Sequence, residues 1–235
     1  MSRPRFIVPA IPPPGERIPL PETERAHARS RRLAVGDNVV LIDGTGAEGD
    51  AEIVSAARDA VVVSVSDVRP AREPDVALWL GVAAVRSERL SWIAEKAGEM
   101  GVALLAVVHS ARAQSYRAAP GVAARLDRLA REAAKQSGSA RWMRCEGPID
   151  LTEALASAPG VFRAVIDFSG EPFPSSGLSA SAALLVGPEG GWAPDEVELA
   201  RAAGWRAIRL PTPTLRTETA ALAAVVLARA AMERR

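Results

Sequence analysis

LLVGPEGGW (184–192) sets an apolar strand against a glycine-rich turn, and LRTETAAL (215–222) sets a polar turn against an alanine-rich helix. Ligands of open α/β sheets sit beyond the carboxyl ends of the strands, where such turns lie. Gly187, Gly190 and Gly191 carry no side chains, so backbone N–H and C=O groups can approach a ligand closely. The same glycines would also make a tight strand-to-helix turn that binds nothing. No Gly-Lys-Ser/Thr follows, so the turn is not a Walker loop, and GPEGGW is not a dinucleotide fingerprint. The ligand expected here is adenosine-like and carries no polyphosphate. In the second segment Thr214 or Thr217 suits a helix cap, and Glu218 suits the first-turn dipole. Capping leaves Arg216 unexplained. An arginine just ahead of a helix can hold a phosphate or stabilise developing negative charge.

Working outward, the segments from 76 onward alternate strand and helix patterns. Strands are expected at 78–85, 102–108, 161–168, 182–186 and 207–210, with helices at 87–100, 122–136, 151–157, 194–203 and 217–232. Gly101 stands where a helix C-cap belongs, and Pro194 at the first turn of its helix. Such alternation argues for a mostly parallel α/β sheet. The first 74 residues read differently. A short strand at 6–8, prolines at 9 and 12–14, a helix at 22–33 and strands at 38–43, 50–55 and 60–68 suggest a small β-barrel. Gly44, Gly46 and Gly49 mark a hairpin-type connection, and RPAREPD at 69–75 reads as a linker. The domains expected are therefore 1–72 and 75–235.

Bulk properties exclude several classes. No apolar run reaches the roughly 18–20 residues a spanning helix needs; the longest, VALWLGVAAV at 76–85, stops at Arg86. The proline-broken N-terminus lacks the apolar core of a signal peptide. A lone cysteine, Cys145, permits no internal disulfide and no metal cluster, so a cytoplasmic protein without a metal is expected. The formal net charge is +1, which gives no global electrostatic case for nucleic acid. Locally, Arg25, His27, Arg29, Arg31 and Arg32 cluster, either as a solvated helix face or as phosphate contacts.

Four further segments share one order with the two already quoted: RFIV followed by a basic stretch and GDNVVLIDG, EKAGEMGV at 95–102, and EAAKQSG at 132–138. In that order the chain resembles the RsmE family of 16S ribosomal RNA uridine-N3 methyltransferases, within the SPOUT class. The resemblance covers nearly the whole chain. It implies an N-terminal PUA-like RNA-binding barrel and a C-terminal α/β domain with a deep trefoil knot. It also implies a homodimer, S-adenosylmethionine as cofactor, and 16S rRNA of the small ribosomal subunit as partner. Carried over by motif, the cofactor residues are Gly187, Pro188, Glu189, Gly190 and Gly191, then Leu210, Leu215, Arg216 and Thr217. His109 and Asp167, at the ends of other strands, are further candidates. RNA contacts are expected at Arg3, Arg5, Arg29, Arg31 and Arg32. Relatives carry Leu-Gly where this chain has Leu210-Pro211, and a proline supplies no backbone donor.

Methylating N3 of uridine requires loss of an imide proton, with charge spreading onto the flanking carbonyl oxygens. Arg216 is the expected electrostatic group, and Glu218 or Glu189 the expected base. Because N3 lies on the pairing edge, the base must be unpaired or flipped. Two alternatives stand beside this reading: another SPOUT RNA methyltransferase acting on tRNA or a different rRNA position, and a non-catalytic RNA-binding homologue.

Overall fold

A computed structural model of the chain describes residues 3–57, 59–71, 77–113, 119, 121–179 and 181–233. The chain folds as two compact units: the N-terminal region together with 134–142, and the remainder. The expected boundary between 72 and 75 lies outside the described residues. Arg69 and Pro70, expected in the linker, close a strand instead.

The first unit contains β1 (Arg5–Ile7), β2 (Arg17–Pro19), α1 (Glu22–Ser30), β3 (Asn38–Ile42), β4 (Ala47–Ala56) and β5 (Val61–Pro70). They form one sheet in the order β1-β3-β4-β5-β2. Only the β1–β3 pair is parallel. Val61, Val63 and Val65 of β5 point inward at every second position, against Phe6, Leu41 and Ile53. The β4–β5 register shifts twice, after Asp50 and after Ile53. Each bulge adds twist and curls the sheet around its core. Gly44, Gly46 and Gly49 have the spacing of a dinucleotide turn, yet they connect two antiparallel strands with no helix behind them. They serve the hairpin.

The expected helix at 22–33 stops early. The N–H of Leu33 donates to Ala28 O at 3.1 Å and that of Arg32 to Arg29 O at 2.9 Å, while Arg32 takes the left-handed φ of 55°. That pattern is a Schellman ending with an arginine where glycine is usual.

In the second unit, β6 (Ala77–Ala83), α2 (Ser87–Glu99), β7 (Leu104–His109), α3 (Val122–Ser137), β8 (Arg144–Asp150) and α4 (Leu151–Ser157) come first. β9 (Phe162–Pro172), β10 (Ser181–Val186), α5 (Pro194–Ala202), β11 (Arg206–Arg209) and α6 (Thr217–Glu233) follow. The sheet runs β11-β9-β10-β6-β7-β8 and is parallel throughout. Both faces are covered, as parallel sheets require. Leu78, Leu80 and Val82 of β6 pack with Ile93, Leu126 and Val225 on one side. Trp79 and Ala83 pack with Leu155, Val197 and Trp205 on the other. Val186, the last residue of β10, is in register with Val82 of β6 and Ile166 of β9; β6 ends one residue further on, while β9 runs on to Pro172. The chain leaving β10 is GPEGGW.

EAAKQSG at the end of α3 is more than a solvated helix end. Lys135 belongs to the stretch grouped with the first unit and meets Glu24 of α1 at 3.1 Å, with side chains only 8% and 4% exposed. Breaking a buried pair by removing one partner typically costs about 3–5 kcal/mol. None of the described helices is long and apolar enough to cross a membrane.

The left-handed Arg32 yields a stability prediction. An L-residue in this region costs roughly 1–2 kcal/mol, which glycine avoids. Arg32→Gly is expected to raise the unfolding free energy by about 1 kcal/mol in urea titrations; an unchanged or lowered value would contradict the backbone reading.

Candidate functional site

The carboxyl ends of β9, β10 and β11 open onto a cleft of about 560 Å³. Gly187, Pro188, Glu189 and Gly191 line it from the first turn, and Leu210, Leu215 and Thr217 from the second. The two quoted segments thus converge on one space. Gly190 and Arg216 fall outside the lining. Arg216 is exposed at the start of α6, where its carbonyl accepts the Ala220 N–H at 2.8 Å. Asp167 lines the cleft and His109 does not; Pro211 is exposed and also outside the lining.

The convergence is held by specific bonds. Thr217 is 2% exposed, and its hydroxyl donates to the Gly187 carbonyl at 3.0 Å. It joins the turns to each other instead of capping its own helix. The Arg89 guanidinium on α2 pairs with Glu189, and its Nε lies 3.7 Å from Glu218 Oε1. Through its hydrogen bond and its charge, Arg89 holds the Glu189 carboxyl below its ordinary value. Such a carboxylate is a poor proton acceptor, and Glu218 faces the same cation. Both groups named as candidate bases are thereby engaged with Arg89.

Two more residues fix the turn. Arg112 Nη1 donates to Gly190 O at 2.7 Å. Glu196, 9% exposed, accepts the N–H of Ala111 and of Ala193, each at 2.8 Å. Neither Arg89 nor Arg112 was visible as a site residue in the sequence, since they lie 100 and 78 residues from their partners. Glycine relieves crowding at one position in the turn and an unfavourable backbone at another. A Cβ on Gly187 would sit 3.1 Å from the Trp192 indole nitrogen, and Gly191 has φ of +68°. At Gly190 the nearest atom to such a Cβ is 3.7 Å away, an ordinary contact.

The cleft fits the expected ligand chemically. Ile166, Val186, Leu210, Leu215 and Ala220 offer apolar walls for a purine. Asp167, Glu189 and Arg209 are the charged groups of its wall, Glu189 being paired with Arg89.

The expected RNA face divides. Arg3 pairs with Asp50 at 2.9 Å and Arg5 with Glu48 at 2.6 Å, while Arg69 reaches both carboxylates. Arg3 and Arg5, expected to contact RNA, are thus held in ion pairs within the β unit. Arg29, Arg31 and Arg32 remain exposed at the end of α1.

The RNA methyltransferase domain family matches residues 72–229, and the RNA methyltransferase PUA domain family matches 20–66. Ribosomal RNA small subunit methyltransferase E of Mycobacterium bovis is 30% identical over 94% of this chain and 88% of its own length. A ribosomal RNA small subunit methyltransferase E from Neisseria gonorrhoeae, solved bound to S-adenosyl methionine, superposes with a TM-score of 0.86 at 25% identity, covering 96% of each chain. A Legionella pneumophila structure with bound SAM reaches a TM-score of 0.88 at 24% identity over 99% of each chain, a likeness of fold.

The glycine geometry separates two neighbours. Gly190→Ala is expected to leave stability within about 0.5 kcal/mol. Gly191→Ala should lose roughly 1–2 kcal/mol to its left-handed backbone. Equal effects in thermal unfolding would contradict the assigned turn. Arg89→Ala should release the Glu189 carboxyl upward toward its ordinary value of 4.5, followed by an NMR pH titration of that side chain.

Proposed function

This chain belongs to the ribosomal RNA small subunit methyltransferase E family, and on that premise we propose that it methylates N3 of one uridine in 16S ribosomal RNA. The reaction class is S-adenosylmethionine-dependent methylation of ribosomal RNA. The observation that carries the finer reading is the convergence of GPEGG and LRTETA on one cleft at the ends of a parallel sheet. When bound there, S-adenosylmethionine supplies an electrophilic methyl group.

The chain's own residues have distinct tasks in this reading. Gly187, Pro188, Glu189, Gly190 and Gly191 present backbone groups to the cofactor, and Leu210 and Leu215 flank its purine. Thr217 keeps the two turns together. Arg216, exposed beside the mouth, stabilises the negative charge that appears on the uracil carbonyl oxygens as N3 loses its proton. Arg29, Arg31 and Arg32 contact phosphates. The PUA-like unit presents the RNA of the small subunit. The protein acts in the cytoplasm as a homodimer, its second unit closed by a trefoil knot, as the family resemblance implies.

Nucleoside mass spectrometry of 16S rRNA from cells with and without the gene tests the reaction. N3-methyluridine at one position should vanish with the gene and return on complementation. A missing methyl on another atom, or on tRNA, would overturn the assignment. Losing one charge-stabilising donor typically costs about 10²–10³ in turnover. Arg216→Ala should fall by that amount while calorimetry still detects S-adenosylmethionine binding; near-full turnover would remove Arg216 from the mechanism.

A further inference from the structure

β9 leaves the sheet before it ends. On one side β10 stops at Val186, opposite Ile166. On the other, Val165 faces Ala207 of β11, yet the next β11 residue, Ile208, faces Glu171. Residues 166–170 therefore have no place in the β9–β11 ladder, and the chain makes an excursion before it rejoins β11. Two features fix that excursion. Asp167 Oδ1 accepts from the Ser169 N–H at 2.9 Å and from the Ser169 hydroxyl at 2.5 Å, which closes the turn. Gly170 then passes against β11: a Cβ there would lie 2.4 Å from Ala207 C and from Ile208 N, so a side chain would force the strands apart.

The excursion carries Phe168, whose ring lines the methyl-donor cleft and is 65% exposed. Burial of an aromatic ring is among the larger apolar contributions to a fold, and this position forgoes most of it. Trp92, the other exposed aromatic among the large apolar side chains of the described residues, lies on α2 and outside the cleft lining. The purine of the cofactor does not need the Phe168 ring, because Ile166, Val186, Leu210, Leu215 and Ala220 already supply apolar walls. The methyl group has to face the open side of the cleft, where RNA reaches it. We propose that Phe168 is the stacking platform for the acceptor base and holds the flipped uracil at the mouth of the methyl-donor cleft. Unpaired bases are recognised by stacking on such rings. Stacking engages the face of the base and leaves its pairing edge, with N3, free to turn toward the methyl carbon. The Asp167–Ser169 turn and the close passage of Gly170 fix the backbone that presents the ring.

The inference rests on the N3-uridine reading, and its test separates the two. Wild-type protein is compared with Phe168→Ala, Phe168→Leu and Phe168→Tyr. The substrate is small ribosomal subunits from cells lacking the gene, and kcat/KM for them is read by methyl incorporation. Calorimetry with S-adenosylmethionine and sedimentation report cofactor affinity and oligomeric state. Phe168→Ala should lower kcat/KM by roughly 5- to 150-fold, the range of one lost base–ring stack. Phe168→Leu should fall nearly as far, since it keeps apolar bulk and loses the ring, while Phe168→Tyr should stay near wild type. Cofactor affinity should remain within about threefold and the oligomeric state should not change. Full kcat/KM in Phe168→Ala overturns the inference. So does a loss matched by lost cofactor affinity, a loss accompanied by a changed oligomeric state, or rescue by leucine equal to that by tyrosine. If the wild-type product carries its methyl on another atom, the N3 reading fails first and this inference with it. If wild-type protein makes N3-methyluridine and Phe168→Ala matches it, only the inference fails.

Discussion

The bond from the Thr217 hydroxyl to the Gly187 carbonyl is the point on which the site depends, because it links two turns thirty residues apart where neither group can reach water. A buried carbonyl left unpaired costs about 1–3 kcal/mol, so the two turns are favoured together over either alone. The backbone around it is equally constrained. A Cβ at Gly187 would press on Trp192 at 3.1 Å, so the indole would have to give way. The β9–β10 register, with Val186 opposite Ile166, puts the turn after β10 beside Asp167. The cleft is thus a consequence of register in a parallel sheet, closed by one side-chain hydrogen bond.

Charge is distributed over the site in the same economical way. Arg89 serves two glutamates and Arg112 serves a carbonyl of the turn. These cations come from α2 and from the short turn at Ala111–Ala113, well away in sequence. The Arg89 pair keeps the Glu189 carboxyl ionised while balancing its charge. Asp167 accepts from the N–H and hydroxyl of Ser169, and Arg209 stands on the wall of the same cleft.

Much of this was legible in the sequence because the informative residues are local. GPEGGW follows its strand directly, and LRTETA precedes its helix directly, so adjacency in sequence revealed adjacency in structure. No strand is expected over β8, whose interior holds Gly147 and Pro148, residues that weaken a strand pattern; it is an edge strand, where proline is tolerated. β2, only three residues long and ending in proline, escaped for the same reason. The early end of α1 depended on Arg32 adopting a conformation that residue type rarely takes, which no composition rule anticipates. Arg89, Arg112 and the pairing of Arg3 and Arg5 with acidic strand residues are long-range facts, set by packing and not by pattern.

A net charge of +1 is consistent with RNA recognition once those pairings are counted. Arg3, Arg5 and Arg69 spend their charge on Glu48 and Asp50, where it stiffens the β unit and contributes little field. The exposed arginines at the end of α1 would add a counterion-release contribution wherever they contact phosphate. Affinity gained that way would also be lost steeply as salt rises. Phosphate contacts set position and carry no base identity, so selectivity for one nucleotide has to come from the base itself, through stacking and through hydrogen bonds to the pairing edge.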